Sequence, residues 1–458
     1  MLIFGAVLLI VLVGVLVYFL RIAPVGCAYK AQVLCAAHYV SGRPLATAFA
    51  PDVSADSYRI MRMFMSSHDA QRKSVTCSFL GLRPRTAVYK PGLGVAITIG
   101  GMDRRPASIP EAATLSEGEA QKLWPQGEAV GVSPAIDLAA VRACVAEQFV
   151  EHNAKRLRRT RAIAVVHDGK LICEQYAPGF AKDMPLPGWS MTKSAMATLI
   201  GARIGEGKLA LKDTALLPEW CGPGDPRAKI SIEDLLRMRS GLGFSEIYHD
   251  PLSDVTRMIF CEPDAAAFAA RRSLAHAPGL HWQYASGTSN LLSRVLRRTF
   301  ASDTDYHRYP QQALFGPAGM RSASIGTDAA GNFVGSSFMF ASAGDWARLG
   351  QLLLNDGMWE GQRLLPEGWT EFSTRVTPQS PAGRYGAHWW RRMSPEFGGE
   401  SAAAKHIPED AFFALGHEGQ TVSVIPSKKL VLVRLGMSIY IDAWNQAEFA
   451  SRLCAAVG

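Results

Sequence analysis

Ser190 and Lys193 stand three positions apart at the start of an apolar stretch whose pattern predicts a helix from Met191 to about Gly205. On a helix that spacing places both side chains on one face, one turn apart, so the amine can reach the hydroxyl. A serine is a poor nucleophile at its ordinary pKa, and a neighbouring lysine whose pKa is lowered by partial burial can take its proton. The N-terminal end of the helix also offers backbone N–H groups to a developing oxyanion. Taken alone, Ser-x-x-Lys is also what an N-cap serine followed by an exposed lysine would give. Of every lysine in the chain, however, only Lys193 has a serine three positions before it.

Two later segments carry side chains that complete such a pair. In Pro278 to Asn290, a turn feeding a helix expected near Asn290 or Leu291, Tyr284 could share the proton-shuttling work and Ser286 could hold the shuttle's geometry. Read by themselves these two are a core tyrosine and an N-cap serine. In Leu415 to Gln420, on or beside a strand, Gly419 would let the backbone approach a bound substrate closely, and His417 would point into the site. A lone histidine in a hairpin is otherwise structural, so this segment gains force only in combination.

The elements that must position these residues are legible from periodicity. Residues 137 to 149 have apolar positions at helical spacing after a polar start, and the main domain is expected to begin at about residue 133. Ala162 to Val166 and Leu171 to Tyr176 flank Asp168-Gly169 as a β-hairpin. Phe412 to Leu415, Thr421 to Ile425 and Leu430 to Leu435 read as strands, followed by a final helix from about Ala443. Strands at both ends of the domain with helices between predict an α/β (α+β) fold, an antiparallel sheet closed by both termini with a helical region inserted.

Taken in order, Ser190-x-x-Lys193, Tyr284-x-Ser286 and His417-x-Gly419 resemble the three motifs of the serine β-lactamase and penicillin-binding superfamily. The segments Leu235 to Leu242, Phe340 to Gly350, Leu364 to Trp369 and Tyr385 to Trp390 are similar to its class C-related branch, nearest the aminohexanoate-dimer hydrolase and esterase-like members. The likeness covers roughly residues 135 to 458. It implies a β-lactamase/transpeptidase-like fold and an acyl-enzyme on Ser190, with Lys193 and Tyr284 as base and proton relay. It also implies an oxyanion hole from the backbone N–H groups of Ser190 and Gln420, and places His417 where the third-motif lysine stands. By the same analogy Tyr248, in the loop Phe244 to Asp250, and Trp389 with Trp390 would line the pocket. Ser286 replaces the asparagine of true β-lactamases and His417-Glu418-Gly419 replaces Lys-Thr-Gly. Those departures point away from antibiotics and toward an ester or small amide. A sensor that acylates without turnover and a D-amino-acid peptidase are the alternatives. An α/β-hydrolase is excluded, since no complete Gly-x-Ser-x-Gly occurs.

Composition bounds the rest. The chain has 458 residues, 48% of them hydrophobic and 19% charged, enough for a real core. Leu2 to Leu20 is an unbroken apolar run, roughly the ~20 residues that cross a bilayer. No basic residue precedes it and no clear small-x-small site follows it, so residues 1–22 read as an uncleaved anchor rather than a signal peptide, with a lipoprotein-type Cys27 as a further option. Residues 23–132 read as a strand-rich lead-in, with strands at Thr86 to Tyr89 and Val95 to Ile99, and 133–458 as the hydrolase domain. Arg21 and Lys30, after the span, lean toward a cytoplasmic body. The family resemblance instead implies a single-pass inner-membrane protein with a periplasmic catalytic domain.

The eight cysteines form no CxxC pair and no metal-ligand spacing with histidine, so neither metal nor cofactor is expected. Cys27, Cys35 and Cys77 could form a disulfide on an oxidising side, or be buried thiols. The net charge of +8 is dispersed apart from clusters such as residues 155–159, and no nucleic-acid motif accompanies it. The expected partners are therefore a small-molecule ester or amide and, through residues 2–20, a membrane.

Overall fold

The structure, a computed structural model, describes residues 2–110, 118, 121–131 and 136–458. The expected start of the main domain at residue 133 lies outside the described residues. The apolar N-terminal run is the first half of one long helix, α1 (Leu2–Tyr39). Its described side chains from Phe4 to Tyr18 are exposed, whereas from Ala23 onward the small residues Cys27, Ala28, Ala31 and Cys35 are buried. The helix therefore runs straight through the break expected near residue 22. Pro24 and Gly26 argue locally for a stop, but packing against the lead-in sheet overrides local propensity.

That sheet has four antiparallel strands in sequence order, β1 (Phe64–Asp69), β2 (Ser74–Phe79), β3 (Leu82–Lys90) and β4 (Gly94–Thr98). The last two are the strands expected from sequence; β1 escapes notice because every side chain after Phe64 is exposed, leaving no alternation to read. Cys27, Cys35 and Cys77 are buried free thiols, so the disulfide considered among them is not formed. The lead-in is tied to the body by Asp52, which pairs with Arg43 and with Arg161, and by the Ser41 hydroxyl donating to the Pro185 carbonyl at 2.6 Å.

The body opens with α2 (Leu138–Glu147), capped by Asp137 accepting from the Ala140 N–H, and the hairpin β5 (Thr160–His167) and β6 (Lys170–Tyr176). The central helices are α3 (Thr192–Gly205), α4 (Asp254–Cys261), α5 (Ser286–Arg297) and α6 (Ala343–Leu354). Three strands, β7 (Phe412–Gly416), β8 (Gln420–Ile425) and β9 (Leu430–Gly436), and a terminal helix α7 (Gln446–Ala456) complete it. The sheet order is β7-β8-β9-β5-β6, antiparallel throughout, so the C-terminal strand β9 pairs with the N-terminal β5 as expected of a sheet closed by both ends.

Strand alternation sorts the sheet's side chains onto two faces. Ile163, Val165 and Leu432 pack with Val141 of α2 and Leu453 of α7, while Ala164, Val431 and Val433 face the other core with α3 and α6. The helical insertion between β6 and β7 rests on that second face, with the Ser190 turn held at the junction between them.

Candidate active site

Ser190 lies in a tight turn, Trp189–Met191, that leads directly into α3. Backbone contacts hold this turn: the Gly188 N–H donates to the Met339 carbonyl at 2.9 Å, and the Thr192 hydroxyl donates to the Trp189 carbonyl at 2.6 Å while accepting the Met339 N–H at 3.0 Å. Trp189 adopts φ +48°, a left-handed conformation that is costly for a bulky residue and persists only where its surroundings dictate it. Gly188 makes the arrangement sterically possible, since a Cβ there would sit 2.1 Å from the Trp346 ring.

One turn into α3, Lys193 is 2% exposed and its Nζ lies 2.9 Å from Ser190 Oγ, 3.1 Å from Ser286 Oγ and 3.0 Å from the Ser336 carbonyl. These partners fix what the amine can do. The Ser336 carbonyl can only accept, and the Ser286 hydroxyl hydrogen is committed to Glu246, so Ser286 Oγ also accepts. A neutral amine thus spends both hydrogens on Ser286 and Ser336, leaving its lone pair toward Ser190. Burial pulls the Lys193 pKa down to about 8, opposed by the negative charge of Glu246, so the neutral amine is accessible near neutral pH. The ammonium also lies over the Tyr284 ring, 4.9 Å from its centroid.

Glu246 was not singled out from sequence. Its carboxylate accepts both the backbone N–H of Ser286, at 2.8 Å, and the Ser286 hydroxyl, at 2.5 Å, and burial raises its pKa. It therefore pins the first residue of α5. That helix starts at Ser286, four residues before Asn290, where the sequence suggests a start, and its weak helix formers are held by tertiary contacts. Ser289 donates to His388 Nε2 at 2.8 Å, while His388 Nδ1 donates to the Leu236 carbonyl at 2.7 Å. Buried His388, its pKa pulled down to about 3, stays neutral and acts as a fixed strut between α5 and the 388–390 segment.

The Tyr284 hydroxyl lies near Ser190, and the Tyr248 hydroxyl lies among Ser286, Ser337 and Ser190. Burial pushes the Tyr284 hydroxyl well above its ordinary pKa, with Tyr385 and Glu246 adding to the rise, so it is a proton donor rather than a phenolate. Tyr248 shifts the same way, through burial first and the Glu246 charge second.

The turn expected to carry the third motif abuts the nucleophile. A Cβ on Gly416 would lie 2.2 Å from the Gly188 carbonyl oxygen, so β7 ends against the Ser190 turn. Gly419, at φ +83°, lets the chain reverse there, and its carbonyl accepts from buried Arg434 at 2.9 Å. His417 stacks on Tyr248, centroids 5.2 Å apart, and meets Trp189 edge-on at 5.6 Å. The Gln420 side chain is buried and works structurally, pairing with both backbone groups of Gly436 at 2.7 and 2.8 Å. A further contributor comes from the lead-in: the Tyr58 hydroxyl donates to Glu418 at 3.1 Å and lies 3.5 Å from His417 Nε2. No sequence spacing links residues so far apart.

These groups open onto a cavity of about 520 Å³. Ser190, Glu246, Tyr248, Tyr284, His417 and Gly419 all line it. Trp389 does not: it is fully buried against Phe412 at 5.2 Å, and the adjacent Trp390, beside Tyr284, lines the cavity instead. The two follow His388, whose φ of +59° turns the chain so that one of these neighbours faces the core and the other the pocket. Among the described lining residues the charged groups are the carboxylates Glu246, Glu396 and Glu418, with no lysine or arginine facing a substrate.

The sequence profile of the Beta-lactamase family matches residues 145–437. A 6-aminohexanoate-dimer hydrolase of Paenarthrobacter ureafaciens is 26% identical over 279 residues, covering 56% of this chain and 69% of the relative. A Bacillus anthracis structure assigned as a candidate 6-aminohexanoate-dimer hydrolase superposes with a TM-score of 0.53 at 19% identity, covering 78% of this chain and 88% of the other. A candidate β-lactamase from Bacteroides dorei DSM 17855 does so with a TM-score of 0.55 at 16% identity, covering 70% of this chain and 99% of the other.

Proposed function

This chain belongs to the Beta-lactamase family and is a serine hydrolase, and from that premise we propose that it cleaves an ester or small amide through an acyl-enzyme on Ser190, held to a membrane by its N-terminal helix. The observation that carries the reading is the Lys193 amine, buried, 2.9 Å from Ser190 Oγ and left with one unfilled direction toward it. Neutral Lys193 takes the Ser190 proton as Oγ attacks the substrate carbonyl. The backbone N–H groups of Ser190 and Gln420 face the developing oxyanion. Tyr284, protonated and beside both Ser190 and Lys193, delivers the proton to the leaving nitrogen or oxygen as the carbonyl bond breaks. Water then reverses the sequence and releases the acid.

The lining supports a neutral or cationic substrate. A carboxylate-bearing antibiotic would meet Glu246, Glu396 and Glu418 with no facing cation. The relative's action on an aminohexanoate dimer supports amide cleavage as one branch of the activity. The exposed apolar half of α1 supports single-pass anchoring at the inner membrane, with the catalytic domain on the periplasmic side on family grounds.

Intact-mass analysis after a fluorophosphonate probe, with a short-chain p-nitrophenyl ester assay, tests the reading. Wild type is expected to gain one label and turn over the ester, and Ser190→Ala to lose the label and at least about 10³-fold in rate. Ester cleavage that survives in Ser190→Ala contradicts the assignment. Labelling without turnover of any ester or amide points to the sensor alternative.

A further inference from the structure

A second cavity, of about 540 Å³, lies beside the catalytic one. The two meet at Tyr248, His249, His417 and Ile439, so the second begins where the Ser190 site ends. Its character is different. Phe19, Ile22, Val25, Met61, Phe64 and Phe260 line it, and its volume falls in the range of about 300–1,000 Å³ typical of ligand sites. Walls made largely of such side chains favour an apolar occupant.

One wall of this cavity is α1, at the level where the helix passes from exposed to buried. Tyr18 is half exposed, Ile22 is partly buried and Ala23 is 2% exposed. The apolar stretch before it, from Leu2 to Leu20, is about 28 Å long at about 1.5 Å per residue, close to the thickness of a bilayer's hydrocarbon core. The cavity therefore starts where such a core would end. Around this point the lead-in exposes Ile60, Met63, Met65, Leu80 and Leu82, interspersed with the exposed cations Arg59, Arg62 and Arg83. The β2–β3 turn that carries Leu80 and leads into Leu82 is joined to the helix by Phe79, stacked on Phe19 at 6.1 Å. Apolar side chains among exposed arginines suit the headgroup boundary of an anionic leaflet. Ile60 both lines the cavity and is 45% exposed, so the cavity reaches the surface on this same face.

From this continuity we infer that the substrate is a bilayer-derived acyl amphiphile whose hydrocarbon chain occupies the second cavity while its carbonyl sits at Ser190. The inference rests on the reading of Ser190 as the acylated nucleophile and adds the substrate class. The polar or cationic head of the molecule lies in the carboxylate-lined catalytic cavity. Ser190 Oγ bonds to the acyl carbon and the bond from that carbon to the head's nitrogen or oxygen breaks. The serine proton leaves with the head, and water releases the fatty acid. The stacked Tyr248–His417 rings stand at the junction that the chain must pass.

The test uses the full-length protein in bilayer nanodiscs with p-nitrophenyl esters from acetate to octanoate, on wild type, Ile22→Trp and Ile60→Trp. Fluorophosphonate labelling of each sample is followed in parallel, and a thermal melt confirms folding. Ile60 is half exposed, so its substitution is tolerated by the fold even where Ile22→Trp is not. In wild type kcat/KM is expected to rise about a hundredfold or more from acetate to octanoate as methylenes are buried. The octanoate-to-acetate ratio is expected to fall about tenfold or more when either tryptophan fills the cavity. A wild-type profile that is flat or falls with chain length, or a ratio unchanged in the folded variants, overturns the inference and leaves the serine-hydrolase reading standing. Absence of both labelling and turnover removes that reading and this inference with it.

Discussion

Among the described residues two lysines are buried, one in the lead-in and one in the catalytic body, and their surroundings give them opposite uses. Lys30, 1% exposed, sits on the buried half of α1 and donates to the backbone carbonyls of Met61 and Phe64. Both partners are acceptors with no proton to give, so the amine is a clamp between helix and sheet edge. Lys193 is equally buried, but two of its three partners are hydroxyls, and one of these, Ser190, carries a hydrogen that the amine can take. Burial lowers the pKa of both amines. What separates a structural lysine from a proton acceptor here is therefore not burial but whether a partner can supply a proton.

Breaking the pair at Lys193 has the largest expected effect in this comparison. Lys193→Met, which keeps the volume and removes the amine, is expected to lower kcat/KM by about 10²–10⁴-fold in an ester assay while the protein stays folded. A loss smaller than tenfold would mean that another group takes the serine proton.

Glu246→Gln probes the surroundings rather than the amine. Its negative charge holds the Lys193 pKa up against burial, so removing it moves the pKa further down. The rising limb of the pH–rate profile is then expected at lower pH than in wild type. The limiting rate is expected to drop roughly tenfold as Ser286 loses its ionised partner. A rate loss with an unmoved limb would reduce Glu246 to a packing role.

The smallest effect is expected at the other lysine. Lys30→Met removes the amine from the buried Phe64 carbonyl and the partly buried Met61 carbonyl and is expected to cost about 1–3 kcal/mol of stability by denaturant titration, without moving the pH–rate limb. A shifted limb would tie the lead-in to the chemistry more closely than Tyr58 alone does.

The same contrast explains what could be read from sequence. In the body, short apolar runs bounded by turn residues, with the Asp168-Gly169 turn, marked β5, β6 and the three late strands to within a residue or two, because strands covered on both faces read as near-continuous apolar runs between turns. The Ser-x-x-Lys pair was legible because a single helical turn guarantees its geometry. Glu246 and Ser336 were not, since they reach Lys193 and Ser286 only through tertiary folding. Trp389 and Trp390 could not be told apart, because which of two neighbours faces the core depends on the unusual backbone of His388, at φ +59°. In the lead-in, Pro24 and Gly26 masked the continuation of α1, and the exposed polar β1 had no pattern to show.

The most direct test of the central claim, that neutral Lys193 activates Ser190, is the pH dependence of fluorophosphonate labelling followed by peptide mapping. The lysine is the active base only when unprotonated, and its pKa lies near 8, so the labelling rate is lost as pH falls through that value and gained as pH rises above it. Between pH 6 and pH 9 the rate at Ser190 is expected to climb by about two orders of magnitude and then level off. A rate that stays flat across that interval, or a label mapped to any other residue, contradicts the account.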